Sequence, residues 1–227
     1  FGIPGEETSD VIDALLDSSI KFVTTHHEQG AAFMADVYGR LTGRAGVCMS
    51  TLGPGATNLI TGVADANMDR APVVAIAGQG ATTRLHKESH QILDLVSMFQ
   101  PITKYSTQIL EPGIVPEIVR KAFKVAQTEK PGATLIDFPE NVAEMPVDKR
   151  PIKVQRAYTS EAPQRKVDQA TQLISAAKAR SAWQAMASSA RAPPMHERAD
   201  VVIWVGDDMA EYHPDMWNPN GDKTIIH

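Results

Sequence analysis

The sequence predicts an α/β protein with a doubly wound parallel sheet, followed by a truncated second α/β domain. Short apolar runs at 46–51, 73–77 and 134–138 alternate with longer segments of helical periodicity. Glycine turns such as Gly53 and Gly78 follow the runs. The runs are apolar at successive positions, which is typical of strands covered by helices on both faces.

The first two thirds of the chain are predicted to alternate helix and strand. Val11, Ile12, Leu15 and Leu16 recur at helical spacing after possible N-caps at 8–10. The predicted series is helix 8–18, strand 20–25, helix 27–42 ended by Gly43, strand 46–51, helix 57–68, strand 73–77, a loop and helix over 80–99, an extended segment 105–110, helix 114–128 and strand 134–138.

The remainder indicates a linker and part of another domain. We expect a first domain over 1–148, a linker rich in proline and charge over 149–165, and a partial second domain over 166–227. The second domain is predicted to hold helix 166–180, a stretch 181–198 with no clear period and no strand, strand 199–206 and a strand from 224. The chain starts at Phe1 and stops inside a strand pattern, so we expect a fragment of a longer protein.

The composition is that of an ordinary globular protein and excludes several classes. The 227 residues are 43% hydrophobic and 22% charged with net charge -5, which gives no sign of a nucleic-acid surface. No apolar stretch approaches a membrane span, and no signal peptide is visible. Cys48 is the single cysteine, so a reducing, cytoplasmic location is expected. Its apolar surroundings favour buried strand filler over a nucleophile.

Glu28 and a glycine turn are the main candidates for chemistry. Glu28 follows an apolar run and begins a predicted helix, where a carboxylate either complements the helix dipole or faces a ligand at the top of the sheet. The run 53–58, Gly-Pro-Gly-Ala-Thr-Asn, also opens a helix after a strand. It is either an ordinary turn or a site where backbone N–H groups approach a ligand. It matches neither the Walker loop nor G-x-G-x-x-G.

Several histidines resemble metal ligands without completing a set. His86 and His90 stand four residues apart, and His27 precedes Glu28, but the H-E-x-x-H order is absent. We therefore expect no metal site built by this chain, and favour a loop histidine that contacts substrate. Gly206-Asp207-Asp208 lacks a second glycine and is interpreted as a plain strand end.

Taken in order, the motifs resemble the pyrimidine-binding domain of thiamine-diphosphate enzymes of the acetolactate synthase group. The similarity extends to about residue 150 and resumes at Arg198–Val202, in what resembles part of the central domain. The motifs are Gly2-Ile3-Pro4-Gly5, His27-Glu28-Gln29-Gly30-Ala31, Gly53-Pro54-Gly55-Ala56-Thr57-Asn58, Asp69-Arg70-Ala71-Pro72, His90-Gln91, Pro101-Ile102-Thr103-Lys104-Tyr105 and Pro131-Gly132-Ala133.

The resemblance implies a mechanism centred on Glu28. Its carboxyl would hydrogen-bond the pyrimidine N1′ and favour the imino tautomer, whose imine removes the C2 proton to give the ylid. The ylid would attack pyruvate, CO2 would leave, and the two-carbon unit would add to a second 2-oxoacid. A sister thiamine-diphosphate decarboxylase or carboligase stays open, as does a non-catalytic module that dimerises or binds the pyrimidine.

The resemblance also assigns roles to other residues. It implies that His90 and Gln91 approach the reacting carbonyl, and that a set of turn residues lies near the pyrimidine or the domain interface. That set is Ile3, Pro4, Gly5, Gly53, Pro54, Gly55 and Asn58. His90 stands where many biosynthetic members carry an aromatic residue, which looks closer to the catabolic type without flavin, although FAD stays open. Glu140 stands where many relatives carry Lys.

The diphosphate half of the cofactor is expected to lie outside this chain. In the family it is held through Mg²⁺ by a third domain with a Gly-Asp-Gly…Asn signature, which this sequence lacks. The resemblance further implies a homodimer or tetramer through the pyrimidine domain, in branched-chain amino acid biosynthesis or the acetoin pathway. We expect the chain to supply half of an active site and to be inactive alone.

Overall fold

The computed structural model describes residues 1–154, 161–178, 180–184, 199–205 and 218–226. The chain divides into two compact units, Phe1–Thr159 and Ser160–His227. In the described residues, no helix combines the length and the apolar character needed to cross a bilayer.

The first unit alternates helices and strands as the sequence predicts. Short 3-10 turns at Glu6–Thr8, Gln100–Ile102 and Pro112–Ile114 precede or join these elements. The elements are α1 Ser9–Leu16, α2 Glu28–Thr42, β1 Gly46–Ser50, α3 Pro54–Asn58, α4 Ile60–Met68, β2 Val73–Gln79, α5 Leu95–Phe99, β3 Tyr105–Gln108, α6 Val115–Gln127, β4 Ala133–Pro139 and α7 Glu140–Ala143.

The four strands form one parallel sheet in the order β1-β2-β4-β3. Successive residues of β2 enter different cores: Val73 and Ala75 pack with α2, α4 and α5, whereas Val74 and Ile76 pack with α6 on the opposite face. Both faces are therefore covered, which explains the uninterrupted apolar runs and confirms the doubly wound α/β prediction.

Helix α2, which carries Glu28, is fixed against its neighbours by close backbone contact and by charge. A Cβ on Gly46 would lie 2.1 Å from the Ala35 carbonyl oxygen, so only glycine lets β1 approach α2 this closely. Arg40 of α2 bonds carboxylates of Asp65 and Asp69, at the end of α4, as well as Asp36 of its own helix. The predicted end of α2 is confirmed, because Gly43 adopts φ 66° at its C-cap.

The predicted strand over 20–25 is wrong. This segment makes one isolated bridge, between Thr24 and Gly2, and Gly2 bridges Met49 of β1 on its other side. The Gly2 N–H donates to Val23 O, and the Thr25 N–H donates to Gly2 O, each at 3.0 Å. The paired N-terminal segment is too short to extend the ladder, and Ile20 and Val23 stay exposed.

Two predicted helices differ in extent. The helix expected over 57–68 starts earlier, with Pro54 at its first position, and is divided at Leu59 into α3 and α4. The helix expected within 80–99 is limited to α5. Asp94 caps it by accepting a hydrogen bond from the Ser97 N–H at 3.0 Å, so the residues before it stay in turns.

The second unit holds α8 Gln164–Ala176 and a parallel sheet of β5 Arg180–Gln184, β6 Val201–Val205 and β7 Thr224–Ile226, in that order. The prediction of no strand in 181–198 is wrong at its start, because β5 pairs with β6 from Arg180↔Val201 onward. Pairing with an apolar neighbour outweighs a weak local pattern. The rest of that stretch, and Gly206-Asp207-Asp208, lie outside the described residues.

Candidate active site

Glu28 lies buried at the N-terminus of α2, with only 9% of its surface exposed. His27 caps the helix by accepting a hydrogen bond from the Gln29 N–H on Nδ1 at 3.1 Å. Asn58 Nδ2 donates to Glu28 Oε2 at 3.0 Å. A Cβ on Gly55 would lie 3.3 Å from Glu28 Oε1. The carboxylate therefore lies beside α3, close to residues near both ends of this short helix, and is shielded from most water.

The turn after β1 is shaped by two glycines. Gly53 has φ 55°, a left-handed conformation that side chains disfavour, and it precedes Pro54 at the start of α3. A Cβ on Gly55 would come within 2.8 Å of Thr51 Cγ2, and a Cβ on Gly5 within 2.5 Å of Thr51 Cβ. Thr51 thus fills the space that both glycines leave, and joins the two turns.

The N-terminal turn lies at the same edge of the sheet. The Ile3 N–H donates to Met49 O at 3.3 Å, and the Gly5 N–H donates to Thr8 Oγ1 at 3.0 Å. Pro4 is exposed between them. The structure thus brings Ile3, Pro4 and Gly5 to the carboxyl end of β1, next to the turn that faces Glu28.

Sequence reasoning missed Glu7 and Thr51, whose side chains connect these turns. The Thr51 hydroxyl donates to Glu7 Oε2. The only sequence signal was the position of Thr51, directly after a strand and before a glycine turn. Glu7, 44 residues away along the chain, gave none.

His90 and Gln91 lie on an exposed loop that connects β2 to α5, residues 80–94. Gln91 has φ 56°. Its Cβ and its carbonyl oxygen each lie 2.7 Å from where a Cβ on Gly53 would stand. The loop therefore rests on the Gly53 turn, and glycine is needed there to admit it. The roles predicted for these two residues stay predictions.

A buried polar cluster at the ends of three strands was also missed. Asp137 of β4 is 1% exposed and accepts a hydrogen bond on Oδ2 from Gln108 Nε2 at 2.7 Å. Gln79 Nε2 lies 3.5 Å from the same oxygen and donates to Leu93 O, in the 80–94 loop, at 2.9 Å. Oδ1 has no partner within the described structure. The sequence signal for this cluster was an acidic residue, Asp137, within the otherwise apolar strand β4.

Burial raises the pKa of Asp137 to about 6, although hydrogen bonds from Gln108 and Gln79 lower it, and the nearby charge of Asp94 adds to the increase. A carboxyl whose pKa is higher in the folded state stabilises the fold at low pH and loses that contribution as pH rises through the folded pKa.

We expect the free energy of unfolding of the wild type to fall by about 2–3 kcal/mol, relative to Asp137→Asn, between pH 4 and pH 7. Asparagine keeps an acceptor for Gln108 and carries no charge, so the variant should lack this component. Urea unfolding at several pH values measures the difference. Parallel pH profiles of the two proteins would contradict the prediction.

Cys48 and the possible metal-ligating side chains were the remaining candidates from the sequence. Cys48 is fully buried, and burial raises the pKa of its thiol to about 12, which confirms strand filler over a nucleophile. Among the described residues, no group of three or more His, Cys, Asp or Glu side chains is placed to hold a metal ion.

Comparison with known proteins identifies the family of the domain that carries this site. Residues 1–98 match the thiamine pyrophosphate enzyme, N-terminal TPP binding domain. This match places residues 1–98 in the thiamine pyrophosphate enzyme family. Over the whole length of this chain, the identity is 33% to "Acetolactate synthase, catabolic" of Raoultella terrigena and 34% to an acetolactate synthase of Bacillus subtilis.

Similarity is higher over part of the chain. A probable acetolactate synthase large subunit of Methanocaldococcus jannaschii is 46% identical over 67% of this chain and 26% of its own length. The first two relatives are covered over 49% and 48% of their lengths. The chain thus spans about half the length of the curated relatives that match it throughout.

Proposed function

We propose that this chain supplies the pyrimidine-binding half of an acetolactate synthase-type active site. The full protein would decarboxylate pyruvate and join the two-carbon unit to a second 2-oxoacid. The observation that carries the proposal is the buried Glu28 carboxylate, held by Asn58 beside the Cβ-free Gly55. The relatives that match the chain, named acetolactate synthases, support it.

The residues present fit the aminopyrimidine of thiamine diphosphate. Asn58 donates to Oε2 of Glu28, while Oε1 lies close to Gly55, which has no side chain to cover it. When bound, the cofactor supplies a carbon nucleophile for the 2-oxoacid. Glu28 would hold a proton at the ring nitrogen N1′, and its burial would keep water from competing for that proton. Ile3, Pro4, Gly5, Gly53 and Pro54 would border the ring.

His90 and Gln91 would act on the substrate side. A histidine can polarise the carbonyl oxygen of a 2-oxoacid, and a glutamine amide can orient it through a hydrogen bond. Their exposure on a loop beside the Gly53 turn is compatible with contact to a substrate at this edge. His90, together with the match to a catabolic relative, favours the catabolic type without flavin.

The rest of the site would come from other parts of the assembly. The diphosphate would be held through Mg²⁺ by a domain beyond these residues, so this chain would bind no metal itself. We propose a homodimer or tetramer through the pyrimidine domain, in the cytoplasm. An open apolar groove of about 600 Å³ along α2 supports such a contact, lined by Phe1, Val23, Phe33, Met34, Val37, Tyr38 and Leu41.

Calorimetric titration of the full protein, which includes the diphosphate-binding domain, with thiamine diphosphate and Mg²⁺ tests the proposal. We expect saturable binding by the wild type and about tenfold weaker binding by Glu28→Ala, which loses a charged hydrogen-bond partner. Glu144→Ala, at the exposed end of α7, is the matched control and should bind normally. Absence of saturable binding, or equal affinity in wild type and Glu28→Ala, would overturn the proposal.

The product distinguishes this activity from a sister enzyme. Acetolactate formed from pyruvate by the full protein supports the carboligase. An aldehyde as the main product would assign a 2-oxoacid decarboxylase instead.

A further inference from the structure

Two residues of the 80–94 loop have backbone conformations that persist only when contacts with other parts of the molecule stabilise them. His86 and Gln91 both have positive φ, 62° and 56°, although neither is glycine. Such conformations are unfavourable for residues with a Cβ and persist when surrounding contacts fix them. The contacts that fix this loop therefore control where His90 and Gln91 stand.

One support is the start of α7, immediately after β4. Glu140 Oε1 accepts hydrogen bonds from the Ala81 N–H at 3.0 Å and from Arg84 Nη1 at 3.2 Å. Asn141 Oδ1 accepts from the Thr82 N–H at 2.8 Å, and its amide donates to the Thr82 hydroxyl at 3.0 Å. Two adjacent side chains thus hold the first part of the loop.

Arg84 extends this hydrogen-bonded support to a later part of the loop. Its Nε donates to Ser89 Oγ at 3.1 Å, so a continuous link runs from Glu140 through Arg84 to the residue that precedes His90. Beyond His90, Gln91 rests against Gly53. The segment with His90 and Gln91 is therefore held between α7 on one side and the glycine turn next to Glu28 on the other.

We propose that Glu140 is a positioning residue, which fixes the loop through Arg84 and thereby places His90 and Gln91. What those two residues do to a substrate rests on the proposed function, whereas the positioning itself does not. A carboxylate is required at 140 because one oxygen serves both a backbone N–H and a cation. A lysine there would offer no acceptor to Ala81 and would repel Arg84.

Hydrogen exchange on the full chain, measured by mass spectrometry, tests the proposal. In Glu140→Lys we expect amides of 81–92 to exchange about tenfold faster, while those of α4 are unchanged. Glu144→Lys makes the same charge change at the exposed C-cap of α7 and should leave both segments unchanged. Glu140→Gln keeps an acceptor and should recover part of the protection.

The double variant Arg84→Met/Glu140→Lys separates the ion pair from a general loss of structure. Because Glu140→Lys already breaks the link through Arg84, the additional loss of the Arg84 side chain should add little to the exchange of 81–92, whereas independent losses would add. In the holoenzyme, Glu140→Lys should lower kcat for the 2-oxoacid about tenfold and leave thiamine diphosphate affinity within twofold.

Two results would overturn the proposal: equal exchange in Glu140→Lys and Glu144→Lys, or faster exchange throughout α4 in Glu140→Lys, which would show general destabilisation. Failure of the proposed function gives a different pattern. The wild-type full protein would then bind no thiamine diphosphate, while the exchange of 81–92 would still depend on Glu140.

Discussion

Glu28→Gln should lower the rate at which the C2 hydrogen of thiamine diphosphate exchanges in the holoenzyme by about 10²–10⁴-fold. The glutamine amide fits the same space and can still accept a hydrogen bond from Asn58 through its oxygen. It has no acidic proton to share with N1′, so the activating function of the carboxyl is lost while the shape remains. Proton NMR of the cofactor in deuterated buffer measures the exchange rate.

Two further variants make this test specific. Glu28→Asp keeps the carboxyl but withdraws it toward α2, so exchange should fall to an intermediate rate. Glu144→Gln removes a carboxylate from the exposed C-cap of α7 and should exchange normally. Unchanged exchange in Glu28→Gln, with cofactor bound and the fold intact by thermal unfolding, would contradict the role proposed for Glu28.

Gly46→Ala should lower the free energy of unfolding by about 3 kcal/mol or more. The added Cβ would meet the Ala35 carbonyl oxygen at 2.1 Å and the Ala35 Cα at 2.8 Å, both backbone atoms of α2. Backbone inside a helix cannot rotate away as a side chain does. Relief therefore requires β1 and α2 to separate, which opens the core between them. Urea unfolding followed by circular dichroism measures the loss.

Gly30→Ala is the matched control for this substitution. Gly30 lies in the first turn of α2, and a Cβ there would meet nothing within 4 Å. Alanine favours the helix by up to about 1 kcal/mol, so this variant should be as stable as the wild type or more so. Equal destabilisation by the two substitutions would show that close approach at Gly46 is not what limits the packing.

The periodic helices and strands were predictable because the apolar pattern that specifies each of them lies within one continuous segment of sequence. The apolar runs at β1, β2 and β4 predicted buried parallel strands, and Gly43 predicted the end of α2. The two wrong predictions about strands concern segments whose state depends on a pairing partner. The segment 20–25 lacks a neighbour long enough to pair with, whereas β5 gains one in β6.

The candidate site likewise combines features that depend on neighbouring residues with features that depend on distant ones. Glu28 was a candidate because it begins a helix after an apolar segment, although the strand predicted over that segment is reduced to one isolated bridge. The pairs that complete the surroundings join residues far apart along the chain: Thr51 with Glu7, Asp137 with Gln79 and Gln108, and Glu140 with Arg84. None of these pairs lies within a helical turn or a strand repeat, so no periodic pattern could connect them.

The sequence by itself determined the α/β class, the start of α2 at Glu28 and the order of the glycine turns, since each depends on neighbouring residues. Only the tertiary structure decided that Asn58 and Gly55 border the Glu28 carboxylate, that the 80–94 loop rests on Gly53, and that Glu140 holds this loop. The physical reason is that the parallel sheet brings the carboxyl ends of separate strands to one edge, where distant residues meet.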